Sequence, residues 1–106
     1  MKTDYLWIYC TTESIEEAKR ISKILVETRL AACVNLIPEM YSIYEWQGKI
    51  EESQEVVLIA KTTTDCFERL KAAIIEHHSY ECPCIVALPM IEGNPDFLQW
   101  IRSQTD

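Results

Sequence analysis

Apolar and polar positions alternate along this chain in two periods. Tyr5 to Cys10 (YLWIYC) is a continuous apolar, β-favouring run and predicts a central strand. Ile15, Ala18, Ile21, Leu25 and Thr28 then recur at steps of three and four, which predicts an amphipathic helix over residues 15–29. Ser14 precedes that stripe and Glu17 stands three positions on, the form of a capping box. Cys33 to Ile37 and Met40 to Trp46 return to a strand pattern, with a bulge or kink expected at Pro38, which has no N–H to donate. In the second segment Tyr41, Ile43 and Glu45 share one face, and Ser42, Tyr44 and Trp46 the other.

Gln47-Gly48-Lys49 supplies a turn, and Glu55 to Thr62 (EVVLIAKT) is the predicted return strand of a hairpin far longer than the usual strand of roughly five or six residues. Asp65 with Glu68 resembles a second capping box, and Phe67, Leu70, Ile74 and His78 continue a helical stripe to about residue 78. Cys84 to Ile91 is the last predicted strand, and Pro89 within it points to an edge position or a bulge. Asn94-Pro95-Asp96 starts a final short helix: a capping side chain, proline in the first turn, and an acid near the positive dipole end. The order β-α-β-β-α-β plus a terminal helix predicts an α+β, ferredoxin-like single domain over residues 1–106.

Composition sharpens this picture at two points. The 106 residues include three Trp, five Tyr and two Phe, many for the interior of so small a domain, and self-association is one way to cover them. The formal charge of −7 and the scattered Lys and Arg argue against nucleic acid, since a phosphate-backbone binder needs the opposite sign. No segment approaches the roughly 20 apolar residues of a membrane span. The apolar run near the N-terminus is too short for a signal-peptide core, so reduced cysteines and a cytoplasmic location are expected.

The segment richest in chemistry is His77-His78-Ser79-Tyr80-Glu81-Cys82-Pro83-Cys84-Ile85. Two imidazoles and two thiols suit Cu(I), Cu(II) or Zn(II) rather than Mg(II) or Ca(II), and Cys82 and Cys84 project to the same side of an extended stretch. The spacing matches no standard zinc motif, and a helix-ending loop with one packed histidine and two buried small cysteines accounts for the same residues. Cys10, Cys33 and Cys66 read individually as core. A Cys-His nucleophile pair is the further alternative, but the chain has no glycine-rich oxyanion or phosphate loop, because Gly48 and Gly93 are isolated. Tyr41, Tyr44 and Trp46 fit either core and interface packing or a ligand cleft in which Lys61 meets an anionic group.

Taken in order, Cys10-Thr11, LAACVNLIP (30–38), SIYEWQGKIEE (42–52), EVVLIAKT (55–62), HHSYECPCI (77–85) and ALPMIEGNPDFLQWI (87–101) resemble the CutA divalent-cation tolerance family over nearly the whole chain. That resemblance implies a homotrimer similar to PII signalling proteins, and binding of copper or other divalent cations such as zinc without classical catalysis. By motif it implies copper ligands at Cys10, His77 and His78, with Cys82 and Cys84 as auxiliary thiols peculiar to this sequence. It also implies a cleft between subunits lined by Trp46, Lys61, Tyr80 and Glu81, or, as an alternative function, an adaptor that takes a small ligand or partner protein there. Ser79 and Cys84 depart from the family's usual His-Pro-Tyr-Glu-x-Pro-Glu-Ile pattern; the second change replaces a hard carboxylate by a thiol.

Overall fold

The computed structural model describes residues 3–106. Strand β1 (Tyr5–Thr12) leads into α1 (Ile15–Glu27), then β2 (Cys33–Trp46), β3 (Lys49–Thr63), α2 (Phe67–His77), β4 (Ile85–Pro89) and α3 (Pro95–Ser103). The strands form one sheet in the order β2-β3-β1-β4, with every neighbouring pair antiparallel. This is the ferredoxin-like arrangement expected from the element order.

Register decides which side chains share a face. Ile8 lies opposite Ala60 and Cys10 opposite Leu58 across β1 and β3, while Val34 and Leu36 of β2 meet the same two β3 residues from the other side. These side chains, with Ile21 and Leu25 of α1 and Leu70 and Ile74 of α2, form the core. Both long helices therefore cover one face of the sheet. The other face carries Trp7, Tyr9, Ile37, Val57, Ile59, Val86 and Leu88, of which Ile37, Val86 and Leu88 are exposed.

Several local expectations need correction. Helix α1 stops at Glu27 because Arg29 turns into the left-handed region (φ 62°), and the Leu30 and Ala31 N–H groups both donate to the Leu25 carbonyl. Asp65 does not cap α2: residues Thr64–Cys66 form a 3-10 turn ahead of the helix, with no side-chain capping bond. Strand β4 covers only Ile85–Pro89, so Pro89 ends an edge strand rather than interrupting one, and the Met90 N–H still donates to the Tyr5 carbonyl at 3.0 Å. Strand β3 starts at Lys49, well before Glu55. Its charged first half stays in the ladder because it pairs residue for residue with Met40–Trp46.

The hairpin turn is a two-residue one, with Gln47 at φ 51° and Gly48 at φ 80°. Positive φ at both central residues matches the twist of the two strands, and glycine meets the second requirement without steric cost. The expected irregularity at Pro38 is present as a register shift between Ile37 and Met40. Beyond it the hairpin leaves the core, and Tyr41, Ile43 and Ile50 are 63%, 71% and 73% exposed on one face. It accounts for the elongated outline of 45 × 28 × 22 Å. Leu70→Ala, which empties a fully buried site between α2 and the sheet, should lower unfolding free energy by about 2–5 kcal/mol in urea titration.

Candidate metal-binding loop and its supports

The loop after α2 is shaped by a set of hydrogen bonds that tie it to β1, α1 and β3. His78 is in extended conformation just past the helix, and its Nε2 lies 2.8 Å from the Thr11 carbonyl oxygen. The Tyr80 backbone N–H donates to His78 Nδ1 at 3.0 Å. A carbonyl can only accept and a backbone N–H can only donate, so His78 is held as the neutral tautomer with its proton on Nε2. The Ser79 N–H donates to Glu17 Oε2 at 2.7 Å, and the Tyr80 hydroxyl donates to Glu55 Oε2 at 2.7 Å. Ser42 Oγ donates to the other Glu55 oxygen, which joins the loop to both strands of the hairpin.

Two of these anchors escape the sequence pattern. Ser14 caps α1 as expected, accepting from the Glu17 N–H at 3.1 Å, but the Glu17 side chain turns inward to Ser79 instead of back to the helix start. Glu17 is only 4% exposed, and its Oε1 is buried without a hydrogen-bond partner. Glu55 opens an apolar run and is buried on the helix-free face, beside a groove of about 400 Å³ between the start of α1 and the hairpin. A carboxylate beginning EVVLIAKT is the one sequence signal that marks it; nothing in the sequence marks the inward turn of Glu17.

Electrostatics separates the five cysteines. Cys10 is fully buried in the core, and its Sγ donates to the Thr11 carbonyl at 3.7 Å. Burial, with Cys84 and Glu17 nearby, pushes its thiol up to about 12. Cys84 is exposed at the mouth of β4, and it too is shifted upward, by desolvation first and then by Glu55 and Cys82. Tyr80 is raised by burial and by its bond to Glu55, so its hydroxyl stays a donor. Cys82 is exposed, Cys33 is half-buried, and Cys66 is buried with Sγ 3.1 Å from the Asp106 carbonyl oxygen. A thiol enzyme needs a cysteine shifted the other way.

The residues singled out in the sequence therefore divide. His77, half-exposed with Nε2 3.5 Å from Glu76, shares the loop region with the exposed Cys82 and Cys84. His78 commits its ring nitrogens to the Thr11 carbonyl on β1 and the Tyr80 N–H of the loop, and Cys10 lies beneath the helices, so neither presents a free donor as the structure stands. Among the described residues, no group of three or more His, Cys, Asp and Glu side chains is gathered to hold a metal ion. Tyr80 meets Glu55 and Glu81 is exposed, but Trp46 sits at the hairpin tip opposite Lys49. Lys61, at the far end of β3 and about 40 Å along the strand, donates to Asn35 Oδ1 and faces the Phe97 ring. The four proposed cleft residues do not line one cleft within a single chain.

The shift at Cys10 has a definite sign. Its proton is retained in the folded state above the ordinary value of 9.0, whereas the unfolded chain loses it there. The stability that this shift contributes is therefore complete below pH 9.0 and declines as pH rises from there toward about 12. Urea midpoints measured across that range should fall for the natural chain and fall less steeply for Cys10→Ala. Timed alkylation read by mass spectrometry should label Cys82 and Cys84 well before Cys10 and Cys66.

Comparison with known proteins agrees with this architecture. The family model for the CutA1 divalent ion tolerance protein matches residues 6–104. The divalent-cation tolerance protein CutA of Thermus thermophilus is 50% identical over 98 residues, covering 92% of this chain and 95% of that one. Human protein CutA is 45% identical over 100 residues, which cover 94% of this chain but 55% of the human protein. The solved structure of the periplasmic divalent cation tolerance protein CutA from Archaeoglobus fulgidus superposes with a TM-score of 0.93 at 41% identity, over 96% of this chain and 99% of that one. With matching sequence along 6–104 and a matching fold, the chain belongs to the CutA1 divalent ion tolerance family.

Proposed function

We propose that this chain is a cytoplasmic homotrimer that binds copper, and other divalent cations such as zinc, and contributes to metal-ion tolerance without catalysing a reaction. The observation that carries the reading is the loop after α2, where His77, Cys82 and Cys84 reach solvent on a backbone held by Glu17, Glu55 and Thr11. Borderline and soft donors of this kind favour copper and zinc over hard cations. The charge of −7 adds a weak general attraction for cations. Cys10 and His78 join such a site only if metal entry displaces their present partners, so His77 is the imidazole with the smaller barrier to binding. Five free cysteines suit a reducing compartment.

Self-association is supported by the uncovered apolar surface. Tyr41, Ile43 and Ile50 on the hairpin, with Ile37, Val86 and Leu88 on the helix-free face, expose more large apolar side chains than so small a monomer ordinarily leaves in water. Assembly is also the only way to bring Trp46 near Lys61, because one chain holds them at opposite ends of β3. The same fact favours a second reading, a PII-like adaptor whose cleft between copies receives a small anion or a partner protein.

Copper(II) and zinc titration of the natural chain against a His77→Ala/His78→Ala double variant tests the metal reading. Weaker binding by the variant is expected, and equal stoichiometry and affinity would remove the histidines from the ligand set. Sedimentation equilibrium should return the mass of three chains for the natural protein. Ile43→Glu combined with Ile50→Glu should shift it toward single chains. If metal binding is absent while a Lys61→Ala variant loses a metabolite or partner that the natural trimer retains, the adaptor reading takes its place.

A further inference from the structure

Helix α3 is joined to the sheet by a short linker and pinned again at its far end. Residues 91–94 belong to no helix or strand. Just before them Met90 is fixed, its N–H donating to the Tyr5 carbonyl at 3.0 Å and its carbonyl accepting from the Thr3 hydroxyl at 2.8 Å. Gly93 lets the linker turn close on Leu98, whose Cδ2 lies 3.2 Å from where a Cβ would stand. Among the described residues of α3 only Ile101 is buried, while Phe97 and Trp100 stack on each other and stay exposed. Apolar burial therefore gives α3 a weak hold, and polar contacts decide whether it stays down.

Those contacts converge on Asp106. Arg29 donates from Nε to Asp106 Oδ1 and from Nη2 to the Ser103 carbonyl, both at 2.8 Å, and the Asp106 N–H donates back to the Arg29 carbonyl at 3.1 Å. Arg69 Nη2 and Cys66 Sγ, at the start of α2, donate to the Asp106 main-chain oxygen at 3.2 and 3.1 Å. Arg29 stands at φ 62°, a conformation that favours glycine after a helix and strains a larger residue. What the position gains in return is a guanidinium that reaches Asp106. Toward the other end of α3 the Phe97 ring lies 6.0 Å from the Lys61 ammonium, which also donates to Asn35. We propose that α3 is a hinged strap: residues 91–94 are the hinge, the Arg29–Asp106 pair is the latch, and closure sets Phe97 over Lys61. Both members of the pair are exposed, at 46% and 56%, so solvent ions reach and screen it. A helix this short moves as one rigid body, so lifting its latched end also lifts Phe97 and opens Lys61 to an anionic group. The use of that opening rests on the adaptor reading, while the strap itself stands on these contacts alone.

Hydrogen–deuterium exchange of the full chain, read by mass spectrometry on peptides from α3, tests the strap. Asp106→Ala and Arg29→Gly should each speed α3 exchange about tenfold and leave β1 unchanged. Arg29→Gly should do so without lowering the urea midpoint, because relief of the positive φ offsets the lost bonds. Raising sodium chloride to about 1 M should quicken α3 exchange in the natural chain. Acylation of Lys61 by a succinimidyl ester should quicken in both variants. Glu68→Ala, which breaks the exposed pair with Lys71 at 3.0 Å, should move neither readout. The strap is overturned if neither latch substitution moves α3 exchange, or if α3 quickens only together with β1. Unchanged Lys61 acylation in a chain whose α3 opens would overturn the closure over Lys61. Neither metal nor metabolite enters this experiment, so failure of the strap leaves both functional readings standing, and their failure leaves the strap.

Discussion

Burial of Ile8, Cys10, Leu58 and Ala60 beneath α1 and α2 is the contact on which the other geometry depends. These four side chains come from the two central strands, and their register commits one face of the sheet to the helices. Slipping β1 against β3 by a single residue would turn Ile8 and Cys10 away from the helices and bring Trp7 and Tyr9 under them in their place. With α1 and α2 on one side, the opposite face is covered only in part among the described residues, and Ile37, Val86 and Leu88 stay exposed on it. Its apolar side chains and the projecting hairpin are therefore a consequence of the same register that builds the core.

That register also positions the loop that carries the candidate chemistry. Cys10 and Ile85 are partners across β1 and β4, so the end of β1 and the start of β4 necessarily lie side by side. Thr11, the next residue along β1, offers its carbonyl to His78, and Glu17 on the first turn of α1 reaches Ser79. A buried carboxylate is costly without donors around it. Glu17 and Glu55 meet that cost in part by accepting from the loop, which fixes the loop while leaving Cys82 and Cys84 in solvent.

The fold was largely readable from the chain. Period-four stripes on Ile21, Leu25, Leu70 and Ile74, the Pro38 irregularity and the Asn94 cap all appear where the pattern places them. Errors fell where pairing outweighs local preference. KIEESQ looks unlike a strand, yet a turn with positive φ at Gln47 and Gly48 carries it back along Met40–Trp46. Asp65 resembled a cap because side-chain type alone does not reveal a 3-10 turn.

The candidate site was readable only as an inventory. Donor types are a property of residues, so the order of residues alone places His77, His78, Cys82 and Cys84 in one segment whose chemistry suits soft or borderline metals. Whether a donor is free is a property of its neighbours in space. Packing in three dimensions shows that His78 spends both nitrogens on backbone groups and that Cys10, which already reads as core, is held protonated there. It alone turned Glu17 from a helix cap into a loop anchor. Hydrogen bonds between residues more than sixty positions apart leave no periodic trace in a chain, whereas burial of a helix face leaves one at every turn.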